Sequence, residues 1–181
     1  AVNNTAAAQP ETDSLQNSVA GNLSMKQLLT YPDRVILTGM PAHRLLGIYK
    51  PVVPQGGKLQ DRLESFSSKS YDYHTDTELH FMPGIDILYG YNLLNIVHYD
   101  FGSGKNNFLF GSPVLVKTLY YPSFVQDSVD GKPIQRDYFL VSVYDEDTNH
   151  DSILNRSDLR HIYHFDAGCV SKTALLPPGY S

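Results

Sequence analysis

The sequence predicts a mainly β fold of short antiparallel strands, on two observations. The aromatic content is high and one-sided, with 13 Tyr and 8 Phe but no Trp, and these side chains favour half-buried pleated surfaces. Short runs rich in Val, Ile, Leu and Tyr also alternate with Gly, Pro and Asp turn residues along most of the chain. Short strands at such close spacing are typical of an all-β sandwich, barrel or propeller.

Length, charge and cysteine content exclude or disfavour several classes of protein. At 181 residues with 41% hydrophobic residues, the chain suits one folded domain with a tail. The net charge of −5 without a Lys/Arg cluster argues against a nucleic-acid partner. Cys169 is the only cysteine, which excludes an intramolecular disulfide and a cysteine-based zinc site. No run of 18 apolar residues exists, so the sequence does not predict a membrane-spanning helix.

Residues 1–22 are small and polar without apolar periodicity, which predicts a flexible N-terminal tail followed by a β-rich domain over 23–181. The tail is typical of what remains after signal removal, so we expect an exported bacterial protein, periplasmic or extracellular. An ordinary N-terminus is the alternative. A short helix is predicted over 23–29, since Tyr31-Pro32 disfavours its continuation. The spacing of Leu59, Leu63 and Phe66 predicts a second helix over 58–70, with a solvated loop as the alternative.

The remaining runs predict strands separated by turns. Asp130-Gly131 between two of these runs is a hairpin signal. The predicted strands cover residues 34–39, 44–52, 78–82, 85–91, 93–101, 106–111, 113–121, 136–146, 159–166 and 173–176.

An internal repeat joins two of these regions at an offset of 66 residues. The segment 95–102, NIVHYDFG, aligns with 161–168, HIYHFDAG, so that Ile, His, Asp and Gly recur. At the same offset, Leu109-Phe110 falls on Leu175-Leu176. Each copy predicts a strand, an Asp-x-Gly turn and a second, shorter strand. The alternative is a common strand ending in an Asx turn.

The repeated layout resembles the outer strand pair of a blade in TolB-like, exported β-propellers. This resemblance implies antiparallel sheets arranged as propeller blades, in an incomplete propeller or a small sandwich. Propellers need about 4 to 8 blades of about 40–45 residues each, whereas this chain supplies two or three units. We therefore expect the chain to associate with further blades or with another chain. The sequence ends after Leu176-Pro177-Pro178, where another unit could begin.

The stretch 147–158, DTNHDSILNRSD, predicts a calcium ion. Calcium takes six to eight oxygen ligands, which a twelve-residue loop supplies from positions 1, 3, 5, 7, 9 and 12. Starting at Asp145 would place the cation of Arg156 at position 12, which excludes that start. Starting at Asp147 puts an oxygen at every ligand position. The predicted ligands are Asp147, Asn149, Asp151, the carbonyl of Ile153, Asn155 and Asp158.

This spacing resembles the EF-hand loop, and more closely the dockerin-type loop with asparagine at position 9 and aspartate at position 12. Position 6 departs from it, because Ser152 stands where a left-handed turn favours glycine, at a cost of about 1 kcal/mol. The preceding run is β-branched and aromatic, so we expect strand, loop and strand. Such an ion is structural, since a sensor needs a helix pair to open. The alternative is an acidic surface turn without an ion.

A competing hypothesis is a hydrolase or metal-dependent enzyme with a site at His74, Asp76, Glu78 and His80. On a strand these four side chains would lie on one face, but the HExxH zinc signature is absent. His98 and His164 recur in the repeat, which predicts an architectural role such as a bond to a neighbouring carbonyl. The sequence assigns no catalytic residue, so a calcium-stabilised domain with a binding or assembly role is the leading interpretation.

Overall fold

The computed structural model describes residues 19–20, 28, 30–51, 78–90 and 92–180. Across these ranges the chain forms β-strands and turns and no helix, which confirms the prediction of a mainly β protein. The helices predicted over 23–29 and 58–70 lie outside the described residues, apart from Leu28.

Fourteen strands are formed within the described ranges. They are β1 (Val19–Ala20), β2 (Tyr31–Leu37), β3 (His43–Tyr49), β4 (Glu78–Met82), β5 (Ile85–Tyr89), β6 (Leu93–Asp100), β7 (Lys105–Phe108), β8 (Leu115–Pro122), β9 (Asp127–Val129), β10 (Lys132–Ile134), β11 (Tyr138–Tyr144), β12 (Ile153–Leu154), β13 (His161–Asp166) and β14 (Lys172–Ala174).

Two open antiparallel sheets organise these strands. The smaller sheet has the order β2-β3-β6-β7, and the larger has the order β14-β13-β11-β8-β5-β4. Each therefore contains a four-stranded meander, which we call the first unit (β2, β3, β6, β7) and the second unit (β8, β11, β13, β14). The β4–β5 hairpin arises between β3 and β6 but pairs through β5 with β8. One unit thus contributes a hairpin to the sheet of the other.

The internal repeat is a structural repeat. Val97 pairs with Phe108 in the first unit, and Tyr163, 66 residues later, pairs with Ala174 in the second. The N–H of Leu109 donates to the carbonyl of Ile96, and the N–H of Leu175 donates to that of Ile162, both at 2.9 Å. The strand, turn and shorter strand predicted for each copy are confirmed. Both short strands, β7 and β14, lie at the edge of their sheet.

One hydrophobic core joins the two sheets. It includes Ile36, Leu45 and Ile96 from the first unit and Leu119, Val141 and Phe165 from the second. Phe110, which follows β7, meets the ring of Phe165 edge-on at 5.6 Å between centroids. Burial of these apolar side chains is the main force that holds the two sheets face to face.

Buried His98 lies in a chain of polar contacts that also crosses between the sheets. Its Nε2 is 2.9 Å from Nδ1 of His43, and its Nδ1 is 3.2 Å from Oδ1 of Asn107. The Asn107 amide donates in turn to the carbonyl of Cys169 in the second unit at 2.9 Å. Burial lowers the pKa of His98, and the Asn107 bond opposes part of that shift. The architectural role predicted for His98 fits this position, but its partners are side chains and not a backbone carbonyl.

The Asp130-Gly131 hairpin signal is confirmed on a smaller scale than the sequence suggested. Both residues have positive φ, 52° and 73°, as the mirror-image turns of two-residue hairpins require. The strands they join are the short β9 and β10, which pair from Asp127 to Ile134. β8 and β11 also pair with each other, so the small hairpin extends from their connection.

The two units pack with opposite faces in contact. Cross-strand pairing defines a front row in each unit, which is Ile36, Leu45, His98 and Asn107 in the first and Tyr120, Leu140, His164 and Thr173 in the second. The adjacent residues form a back row, which is Val35, Leu46, Val97 and Phe108 in the first and Leu119, Val141, Tyr163 and Ala174 in the second.

The front row of the first unit and the back row of the second point into the shared core. Ile36 and Leu45 are buried there, as are Leu119 and Val141. A two-fold pair of units would instead bring equivalent rows together. The two units are therefore not packed as a two-fold pair, and the back row of the first unit and the front row of the second lie on the sheet faces opposite the shared core.

Candidate calcium loop

The predicted calcium loop connects β11 to β13. The segment between them contains β12 and otherwise turns, so the prediction of a strand on each side of the loop is confirmed. Among the described residues the loop has no helix on either flank. It is therefore a connection within one sheet, since β11 and β13 are hydrogen-bonded neighbours.

The carboxylates at the two ends of the loop bind its backbone. Asp147 accepts hydrogen bonds from the N–H of Asp151 at 3.1 Å and of Ser152 at 2.7 Å. Asp158 accepts from the N–H of Thr148 through Oδ1 and of Asn155 through Oδ2, both at 2.9 Å. Asp158 is only 6% exposed. Its burial is tolerated because backbone donors satisfy both carboxylate oxygens.

The middle of the loop holds the remaining predicted side-chain ligands. Asn149 Nδ2 lies 3.0 Å from Asp151 Oδ2, and Asn155 Nδ2 lies 3.4 Å from the same oxygen. The N–H of Ile153 donates to Asp151 Oδ1 at 2.8 Å. The fold thus brings Asn149, Asp151 and Asn155 together.

Asp145, which the spacing excluded as first ligand, is bound elsewhere. His161 Nδ1 lies 2.6 Å from one carboxylate oxygen, and the hydroxyl of Tyr163 donates to the other at 2.7 Å. Burial and this bond to Asp145 raise the pKa of Tyr163 well above its usual range. The Asp145 carboxylate therefore ties the start of the loop to β13, outside the loop proper.

The apolar position of the loop anchors it to the domain. Leu154 is 3% exposed and packs with Leu94 and Leu115 in a second, smaller core. Ile153 and Leu154 also form β12, which pairs with Ala20 and Val19 of β1. β1 lies within the segment predicted as a tail. No sequence pattern indicates this pairing, because two residues are too short to show a strand pattern.

Thr148 is a loop residue that the ligand spacing missed. Its hydroxyl oxygen accepts a hydrogen bond from the N–H of Leu159 at 2.8 Å, and its own N–H donates to Asp158. These two bonds close the loop by joining its second residue to its end. Position 2 is not a ligand position, so only the general preference of Thr for turns could have indicated it.

Ser152 adopts the left-handed backbone predicted for position 6, with φ of 66°. A non-glycine residue is strained there. Replacing Ser152 with glycine is therefore expected to raise the free energy of unfolding by up to about 1 kcal/mol. Chemical denaturation followed by circular dichroism measures this difference.

The matched control for that substitution is Ser157→Gly in the same loop. Ser157 has no positive φ, so glycine there only adds freedom to the unfolded chain. The control is expected to be neutral or destabilising by up to about 1 kcal/mol. Equal changes in the two variants would contradict the strain assigned to Ser152.

The competing site at His74, Asp76, Glu78 and His80 is only partly described. His74 and Asp76 lie outside the described residues. Glu78 and His80 lie on β4, as predicted, where they pair with Leu88 and Asp86. Their side chains lie outside the described part of the chain, so the site stays a prediction.

Cys169 is buried in the core between the sheets. Burial raises the pKa of its thiol to about 12, with a further contribution from the charge of Asp166. A thiol in this state is a poor nucleophile at neutral pH.

No family model, curated protein or solved structure matches this chain. Among the described residues, no helix is long and apolar enough to cross a membrane. Nor do three or more His, Cys, Asp or Glu side chains in that part of the chain form a group arranged to hold a metal ion. The fold itself defines a β protein of two like four-stranded units, with an acidic loop inserted in the second.

Proposed function

We propose that this chain is a calcium-stabilised β domain with an assembly role, and that the ion lies in the 147–158 loop. The observation that carries the calcium proposal is the closure of the loop on its own backbone. Asp147 and Asp158 are held at its two ends by N–H donors from within it. These bonds fix both carboxylates at the ends of the loop. Five side chains and one carbonyl of the loop would supply the oxygen ligands.

Asn149, Asp151 and Asn155 support the same proposal. The amides of Asn149 and Asn155 both lie within 3.4 Å of the Asp151 carboxylate, so a cation needs only small rotations to replace these amide–carboxylate contacts. Calcium accepts a flexible oxygen shell at 2.3–2.6 Å. The ion would offset the repulsion between the carboxylates of the loop and hold a long connection between β11 and β13.

Calcium is therefore expected to raise the melting temperature, and EDTA to lower it. A site of this class has a Kd of about 10⁻⁴ to 10⁻³ M, so 10 mM calcium adds about 1.4–2.7 kcal/mol by mass action. For a chain of this length that corresponds to a shift of about 3–10 °C. Differential scanning calorimetry with and without calcium measures it.

Two variants define the site in that experiment. Asp151→Asn removes one ligand charge and is expected to reduce the calcium shift. Asp137→Asn, an exposed aspartate outside the loop, is expected to keep it. The absence of a shift in the wild-type chain would overturn the calcium proposal.

We further propose that the two units are propeller-like blades. Each is a four-stranded antiparallel meander, they follow each other in sequence, and they pack front row to back row as blades do around an axis. The assembly role rests on the exposed apolar back row of the first unit, where Val35 is 59% and Phe108 52% exposed. Contiguous exposed apolar surface commonly marks an interaction site.

We also propose an exported, periplasmic or extracellular location, which the propeller-like units support. Loss of an N-terminal segment on export, detected by mass spectrometry of the mature protein, tests this localisation. An unprocessed protein retained in the cytoplasm would contradict it.

A further inference from the structure

The back rows of the two units are equivalent in position but differ in environment. In the second unit, Leu119 and Val141 are fully buried against the first unit. Their equivalents in the first unit, Val35 and Leu46, lie on the face that points away from the core. Leu119 and Val141 are therefore covered in the second unit, whereas in the first unit Val35 is 59% exposed and Leu46 only partly buried.

The surface that covers the back row of the second unit indicates which kind of surface could cover the back row of the first unit. The covering surface is the front row of a preceding unit, represented by Ile36 and Leu45. The second unit also carries a front row directed away from the shared core, which includes Tyr120 and Leu140, both partly buried. One molecule thus has the back row of its first unit at one end and the front row of its second unit, with Tyr120 and Leu140, at the other.

We propose that copies of this chain associate head to tail, with the front row of the second unit of one copy on the back row of the first unit of the next. This inference rests on the proposed assembly role and names its partner. The contact repeats the packing already present between the two units within the chain. It is heterologous, since different surfaces meet, so it can continue into a ring or an open chain of copies.

The neighbourhood of the back row fits such a contact. Phe101, 60% exposed, meets the ring of Tyr99 edge-on at 4.7 Å between centroids and lies 5.6 Å from the guanidinium of Arg44. Leu37 is 56% exposed on the same sheet. Apolar and aromatic side chains with one arginine are the residues enriched at protein interfaces.

Two single substitutions test the proposal by sedimentation velocity of the whole chain over a concentration series. Phe108→Glu places a charge on the back row, and Leu140→Glu places one on the front row. Each is expected to return the chain to a 20.3 kDa monomer. An equimolar mixture is expected to form a dimer of twice that mass, because one intact front row and one intact back row remain.

Three controls keep the outcome interpretable. Val129→Glu, at a comparably exposed valine in the β9–β10 hairpin, is expected to associate like the wild type. Circular dichroism and melting temperature verify that the variants fold. If Leu140→Glu does not fold, Thr173→Glu places the charge at an exposed end of the same row, and Val35→Glu does the same for the back row.

A wild-type monomer at every concentration overturns the proposal. Association that survives both substitutions also overturns it, although the assembly role itself would then stand on another surface. Association lost in Phe108→Glu but kept in Leu140→Glu shows a two-fold, back-to-back dimer and excludes the head-to-tail contact. Repeating the series in calcium and in EDTA separates this result from the calcium proposal, which the melting temperature tests alone.

Discussion

Replacing Phe139 with alanine is expected to lower the free energy of unfolding by about 3–5 kcal/mol. Phe139 is 0% exposed and lies on β11, where it points into the core shared by the two units. Its ring lies 6.3 Å from that of His98, between centroids, and it pairs in register with Phe165 of β13. Truncation removes apolar contacts to both sheets and leaves a cavity beside a buried polar side chain.

The size of this loss matters because domains are marginally stable, at about 5–15 kcal/mol in total. Denaturation in urea, followed both by circular dichroism and by tyrosine fluorescence, measures it and shows whether the units unfold together. Phe124→Ala is the control, since Phe124 is 65% exposed and its loss is expected to cost about 0.5 kcal/mol or less. A similar midpoint for both variants would contradict a single core between the sheets.

The strands were predictable from local pattern, whereas their arrangement was not. Runs such as Ile85–Tyr89 and Leu115–Pro122 are recognisable as strands, because they contain β-branched and aromatic residues and lie between turn signals. These two strands pair across 29 to 37 residues of sequence, from Tyr89–Thr118 to Ile85–Pro122. That pairing depends on which sheet faces can be buried together, which is a property of the whole chain. The sequence therefore indicated β4 and β5 as strands without indicating that they extend the sheet of the second unit.

The internal repeat predicted more of the tertiary structure than any single strand pattern did. The match of Ile96, His98 and Asp100 to Ile162, His164 and Asp166 predicted two like strand pairs, and their hydrogen-bond registers agree. The repeat did not predict that equivalent histidines have different surroundings. His98 is buried between the sheets, whereas His164 stacks on Tyr138 at 5.5 Å between ring centroids, on the outward row. The packing of the two units places His98 between the sheets and His164 on the face opposite the shared core.

For the 147–158 loop, too, the sequence predicted local features but not the tertiary contacts. Oxygen-bearing residues at fixed spacing predicted which side chains would gather, and Asn149, Asp151 and Asn155 do lie together. The spacing also predicted the strained backbone at Ser152. It could not predict how the loop is anchored, because Leu154 packs on Leu94 and Leu115, which are distant in sequence. The candidate ligands can be recognised from neighbouring residues in the sequence, whereas the packing that anchors the loop depends on the fold of the whole domain.

The second large effect is expected at Gly39, where the first unit touches the second. Gly39 follows β2, and its N–H donates to the carbonyl of Pro122 at the end of β8 at 2.6 Å. A Cβ added at Gly39 would lie 2.1 Å from the carbonyl oxygen of Ser123, far inside van der Waals contact. Because the obstructing atom is backbone, no side-chain rotation relieves the clash. Gly39→Ala is therefore expected to cost about 3 kcal/mol, at the upper end of typical overpacking.

Gly111→Ala supplies the matched control. No neighbouring atom lies within 4 Å of a Cβ built at Gly111, and reduced freedom in the unfolded chain is expected to make this change neutral or stabilising by up to about 1 kcal/mol. Urea midpoints of the two variants, measured side by side, give the difference. If Gly39→Ala were as stable as Gly111→Ala, the turn after β2 could not lie against the end of β8. The front-to-back packing of the units would then lose one of its backbone contacts, and the head-to-tail association inferred from it would lose the template on which it is built.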